Sequence, residues 1–106
     1  MTAEEFVKAA KEEMQTTMSI YFSDDSETKV GQMIQKLINM GVPKEFLFQF
    51  VSNILNENYY NFMLALDGEA SLGGIQMMYE LFDEDGNELT GSGNIESEAF
   101  KQFIGE

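Results

Sequence analysis

Apolar residues recur at helical spacing along the first two thirds of the chain and switch to alternation near residue 75. Thr2 and Glu5 stand three apart, the spacing of a capping box that opens a helix. Phe6, Ala10, Met14 and Met18 then return every four residues, with Val7 beside them, as one helical stripe. Thr16, Thr17, Ile20, Tyr21 and Phe22 weaken helix propensity and leave the end of this element open. Ser23-Asp24-Asp25-Ser26 reads as a break that supplies the N-cap of a second helix. Val30, Met33, Ile34, Leu37 and Ile38 fall at i, i+3, i+4, i+7 and i+8, the cleanest amphipathic pattern in the chain. Gly41 suits the left-handed position that ends such a helix, Val42 can fold back on its last turn, and Pro43 forbids continuation. A third helix starts at or just after Pro43, with Phe46, Leu47, Phe50, Val51, Ile54 and Leu55 as its buried face. Asn56, Asn58 and Asn61 punctuate the next stretch. Tyr59 to Leu66 reads as a fourth short helix, because Phe62, Met63 and Leu66 share a face; a buried strand is the alternative.

Asp67 to Gly74 then reads as a loop. From Ile75 to Phe82, Ile75, Met77, Tyr79 and Leu81 alternate with Gln76, Met78, Glu80 and Phe82, the pattern of a strand. Asp85-Gly86 is a strong turn dipeptide, and Asn87 to Thr90 can return as the partner strand. Gly91 to Asn94 is a second loop, and Ser97 can cap a last helix carrying Phe100, Phe103 and Ile104. The expected fold is α+β: three to four N-terminal helices packed on a β-hairpin and closed by a short C-terminal helix. It forms one small acidic domain over residues 1–106. A two-stranded hairpin is marginal alone, so it must pack on the helices or gain strands.

Composition narrows the class. Hydrophobic residues make up 43% of the chain and nine are Phe, enough to fill a single core without staples. There is no cysteine and no histidine, which excludes a disulfide framework, a thiolate site and any His- or Cys-based zinc site. No run approaches a membrane span. The opening Met1 to Glu5 is acidic, unlike the basic start of a secretory signal, so the cytoplasm is the expected compartment.

Charge sharpens this further. The net charge is −13, and the six positive residues are all lysine. Seven of the thirteen excess negatives fall after Ile75, where eight acids face one lysine. That skew points to one acidic face or end. No basic stripe of useful size can form against 19 carboxylates, so neither nucleic acid nor an anionic membrane surface is an expected partner.

Candidate chemistry is sparse. Asp83-Glu84-Asp85-Gly86-Asn87-Glu88 invites a calcium loop starting at Asp83. Asp85 and Asn87 fit its third and fifth positions, but the sixth is Glu88 instead of glycine and the twelfth is Asn94 instead of an acid. A polar hairpin turn is the plainer reading. Asp67, Glu69 and Gly73-Gly74 have the look of an anion loop, yet no lysine lies between Glu45 and Phe100, and the acids would repel phosphate. That stretch reads as a connector. Paired carboxylates for glycoside hydrolysis occur by chance among so many acids. A Ser or Thr nucleophile would have only lysine to activate it. Met14, Met18, Met33 and Met63 sit on helical stripes as core fillers. Met77 and Met78, being adjacent on a strand, face opposite ways. Either the hairpin is buried on both sides, or one of them joins Phe82 on an accessible surface suited to a protein partner.

The pattern Tyr59-Tyr60-x-Phe62-x-Leu64-Ala65-Leu66-Asp67-Gly68-x-Ala70-Ser71-Leu72-Gly73-Gly74-x-Gln76, followed by Tyr79-x-Leu81-x-Asp83-Glu84-x-Gly86, resembles small acidic bacterial proteins, among them immunity proteins of toxin–immunity pairs. It spans about a quarter of the chain. The resemblance carries over no functional residue; together with the acidic skew after Ile75 it leads to the expectation of a non-enzymatic, cofactor-free binding module that neutralises a basic partner such as a toxin or nuclease. The residues expected to carry that contact are Glu80, Asp83, Glu84, Asp85 and Glu88, with Tyr79 or Phe82 as the apolar anchor. The alternatives are a homo-oligomeric domain, such as a homodimer through Met77, Met78 or Phe82, and a weak divalent-cation or small-ligand binder at the Asp67 or Asp83 loop.

Overall fold

The capping box at the N-terminus forms reciprocally. Thr2 N donates to Glu5 Oε1 at 2.8 Å, and Glu5 N donates to Thr2 Oγ1 at 3.1 Å. The first of these bonds, from the Thr2 backbone, holds the Glu5 carboxyl below its ordinary value. This pair opens α1 (Ala3–Tyr21) in the computed structural model, which describes residues 1–105. Val7, Met14 and Met18 of its stripe are buried. The weak helix formers near its end do not stop it before Tyr21.

Helix α2 (Lys29–Asn39) starts three residues beyond the expected break at Ser23–Ser26. Its N-cap is Thr28, not a residue of Ser23–Ser26: Thr28 Oγ1 accepts from Gly31 N at 2.9 Å. Ser26 Oγ lies 2.9 Å from the same hydroxyl. This fold-back explains a glycine inside a helix. A Cβ at position 31 would collide with the Ser26 side chain and come within 2.9 Å of Thr28 Oγ1. The helix ends as the sequence indicates. Gly41 takes φ 101°, Gly41 N donates to Ile38 O at 3.0 Å, and Val42 N donates back to Leu37 O at 3.1 Å, which together make a Schellman motif.

The third and fourth expected helices are one. Helix α3 runs unbroken over Lys44–Leu66. Asn56, Asn58 and Asn61 each cost only up to about 0.7 kcal/mol relative to Ala, and neither Gly nor Pro interrupts the segment, so packing carries the helix through them. A second Schellman motif ends it: Gly68 N donates to Ala65 O at 3.1 Å and Glu69 N to Leu64 O at 2.9 Å, with Gly68 at φ 79°. The last helix, α4 (Asn94–Ala99), begins before Ser97, which is therefore not its cap. It passes into a π-helical turn over Phe100–Ile104, closed by Gly105 N donating to Phe100 O.

The α+β expectation is overturned. The described residues are all-helical, with no strand and no sheet. The Asp85-Gly86 turn does form, with Gly86 N donating to Asp83 O at 3.1 Å, but its arms pair only around Phe82 and Glu88. Two bonds make that pairing, Asp83 N to Asn87 O at 3.1 Å and Leu89 N to Leu81 O at 2.8 Å. The ladder stops there because Leu81 N donates to the Thr90 hydroxyl at 3.0 Å instead of to a backbone carbonyl. Gly91 then turns the chain away at φ 93°. Alternation from Ile75 to Leu81 thus has no strand to pair with, and it does not make one alone.

Two compact units divide the chain: Met1–Lys11 with Asn56–Glu106, and Glu12–Leu55. The core of the middle unit is Met18, Phe22, Ile34 and Leu47, with Tyr21, Ile38, Val42, Val51 and Leu55 packed against it. Phe22 also meets the ring of Phe48 at 5.1 Å. In the discontinuous unit Val7, Met63, Ala65, Leu89, Ile95, Ala99 and Phe103 are buried.

The apolar faces of α2 and α3 are only partly used. Ile34 and Leu47 are buried, but Val30, Met33, Leu37, Phe46, Phe50 and Ile54 are exposed, contrary to the sequence expectation. Met33 in particular is no core filler, being 63% exposed. No helix among the described residues is long and apolar enough to cross a membrane.

Candidate functional site

The segment from Met77 to Glu88 combines exposed apolar side chains with carboxylates. Met77, Met78 and Phe82 are 55%, 65% and 51% exposed, so neither side of this segment is buried as a hairpin face would be. Glu80, Glu84, Asp85 and Glu88 are exposed, whereas Tyr79 is half-buried. Of the two candidate anchors, Phe82 is therefore the accessible one. Phe82 and Glu88 face each other across an isolated bridge, while Tyr79 and Glu80 lie before the paired stretch.

Asp83 does different work from its acidic neighbours. Its Oδ1 accepts from Asp85 N at 3.0 Å and Asn87 N at 2.9 Å. Its Oδ2 accepts from Asn87 Nδ2 at 3.0 Å and from the Met1 ammonium at 2.7 Å. The ammonium bond, then the Asn87 side chain and backbone, hold the Asp83 carboxyl well below the usual carboxylate range. The same bond raises the Met1 ammonium above its ordinary value. Four donors thus occupy this carboxylate and shape the turn that presents Glu84 and Asp85.

The Asp67 loop resolves into a structural device. Asp67 is the C-cap of α3 and is buried. Its Oδ1 accepts from Gly91 N at 3.0 Å and its Oδ2 from Glu96 N at 3.1 Å. The residue before α4 is Gly93, which has no side chain to cap with, so Asp67 supplies the missing acceptor from 29 residues away. Beyond it, Leu72 and Ile75 close a tight turn by exchanging backbone bonds at 2.9 and 3.0 Å around Gly73-Gly74. Gln76 Nε2 donates to Gly68 O at 2.7 Å. Among the described residues no three acids converge as a metal ion would require.

An open cleft of about 370 Å³ also lies in the discontinuous unit, lined by Phe6, Asn58, Tyr59, Phe62, Met63 and Leu66. Its lining is apolar except for one amide and one phenol, a set with no acid–base pair.

Sequence reasoning missed a further surface on α2. Val30, Met33, Leu37 and Met40 are all exposed and fall on one helical stripe, beside the buried Ile34. The signal for it was present in the charge order. No acid stands between Glu27 and Glu45, and three of the six lysines, Lys29, Lys36 and Lys44, lie in that interval. Comparison with family models, with curated proteins and with solved structures yields no match to this chain.

Proposed function

We propose that the chain is a non-enzymatic, cofactor-free binding module whose Met77–Glu88 segment engages and neutralises a basic protein of the toxin or nuclease kind. The carrying observation is the interleaving of exposed Met77, Met78 and Phe82 with exposed Glu80, Glu84, Asp85 and Glu88. Apolar side chains supply a contact that water leaves, and flanking carboxylates steer a cationic partner and fix its register. Asp83, expected to touch the partner, is assigned to holding the turn instead. Tyr79, half-buried, gives way to the exposed Phe82 as the anchor. The reading places this activity in the cytoplasm, in keeping with a cysteine-free composition.

The test measures binding to a panel of basic nuclease domains across a salt series. A matching domain should weaken at least about tenfold between low and high salt, as exposed charges are screened. Phe82→Ala should cost about tenfold or more if the ring is a central anchor. Reversing Glu80, Glu84, Asp85 and Glu88 to lysine should slow association most. Binding that ignores both salt and Phe82 defeats the reading. A dimer in light scattering that is lost on Phe82→Ala would instead assign these residues to a second copy.

A further inference from the structure

The middle unit carries a second surface of the opposite electrical sign, and we infer that it docks an acidic amphipathic helix of a partner protein. Val30, Met33, Leu37 and Met40 are 37%, 63%, 37% and 72% exposed. At about 100° per residue they share one side of α2, and the stripe runs roughly 15 Å along the axis, about three turns. Lys29 and Lys36 are exposed and lie seven residues apart, so they flank one edge of this stripe beside Met33 and Met40. Among the described residues, none of Lys29, Lys36 and Lys44 has a carboxylate within ion-pair distance. The lysine ion pairs formed among those residues are Lys8 with Glu4 and Lys101 with Glu98.

An apolar stripe of linear and branched side chains next to an edge of lysines is the complement of an apolar helix edged with Asp or Glu. Two methionines at its most exposed points suit a surface that adapts to its ligand. A second copy fits less well. Two-fold pairing sets a patch against itself and would place Lys29 and Lys36 near the partner copy's lysines. An anionic bilayer fits less well too, because a net charge of −13 is repelled by it. This surface shares no residue with the Met77–Glu88 segment, so either proposal can fail without the other.

The experiment selects a random peptide display library on the full chain. Enriched peptides are then synthesised and titrated by fluorescence anisotropy. Supporting peptides carry Leu, Phe or Met at helical spacing with flanking Asp or Glu. They lose at least about tenfold in affinity on the double change Lys29→Glu and Lys36→Glu, as paired charges become like charges. They lose as much on Met33→Asp, an exposed position where the fold should be unchanged by circular dichroism, and they bind Phe82→Ala like the parent. No enrichment, enrichment of basic peptides, or affinity indifferent to these changes overturns the inference. So does sedimentation with phosphatidylserine vesicles in place of peptide binding, which would make the ligand a membrane. Self-association abolished by Met33→Asp would make it a second copy and overturn the inference equally.

Discussion

Replacing Asp67 with alanine should lower the unfolding free energy by about 3 kcal/mol, since each hydrogen bond to an ionised group is worth roughly 1.5–3 kcal/mol. Its carboxylate is 3% exposed and accepts two backbone N–H groups, one from Gly91 and one from Glu96. Alanine leaves both donors without their acceptor, one of them in the first turn of α4, where the helix cannot satisfy its own N–H groups. It also removes a negative charge from the positive end of that helix. Asp67→Asn is the informative control. The amide keeps one carbonyl acceptor but turns an NH2 toward the second donor, so it should lose about half as much. Urea denaturation followed by circular dichroism reads both losses. A change under about 1 kcal/mol for alanine, the worth of a single neutral hydrogen bond, would mean that water replaces the carboxylate and that Asp67 organises nothing.

The second large effect is at Phe103. Alanine there should cost about 3–5 kcal/mol, the usual range for deleting a buried phenylalanine. Phe103 is 4% exposed, and its ring stacks on Tyr59 with centroids 5.6 Å apart and planes 18° apart. The Lys11 ammonium sits 5.2 Å from the same ring and donates to Asn56 Oδ1 at 3.1 Å. Burial pulls the Lys11 ammonium below its ordinary value, so the ring and the amide face a cation that has given up part of its water. Phe103→Leu keeps most of the volume and loses the aromatic pair and the cation contact, about 0.5–1.5 kcal/mol for each. Leucine should therefore fall between the parent and alanine in denaturant midpoint. If leucine matches the parent, the ring's electronic contacts contribute nothing and Phe103 acts by bulk alone.

Features set by neighbours in sequence were readable from the residues. The Thr2–Glu5 box and the Gly41-Val42 stop need only residues within six of each other, and both form as their spacing dictates. What depends on distant partners was not readable. Ile75 to Leu81 alternates as a strand does, but a strand exists only against another, and Thr90 takes the Leu81 N–H that the ladder required. The apolar arcs of α2 and α3 identify helices correctly, yet periodicity cannot say how much of an arc finds cover. Ile34 does and Met33 does not. Asp67 offered no local hint of its role, because the donors it meets lie 24 and 29 residues further on. Within the candidate site the acidic stretch was evident from charge alone. That Asp83 is taken up by its own turn and the Met1 ammonium, and that Phe82 rather than Tyr79 is accessible, depends on packing and bonding that no local charge pattern encodes.

The division among the eight methionines has a chemical consequence. Met14, Met18 and Met63 are buried, whereas Met33, Met40, Met77 and Met78 are more than half exposed and Met1 is nearly so at 49%. With no thiol to consume an oxidant first, peroxide meets these outer thioethers before the buried ones. Sulfoxide formation makes a flexible apolar side chain polar. Oxidation would thus strike both proposed contact surfaces and spare the packing beneath them. Peptide mapping after mild peroxide treatment separates the two groups of methionine by their rates.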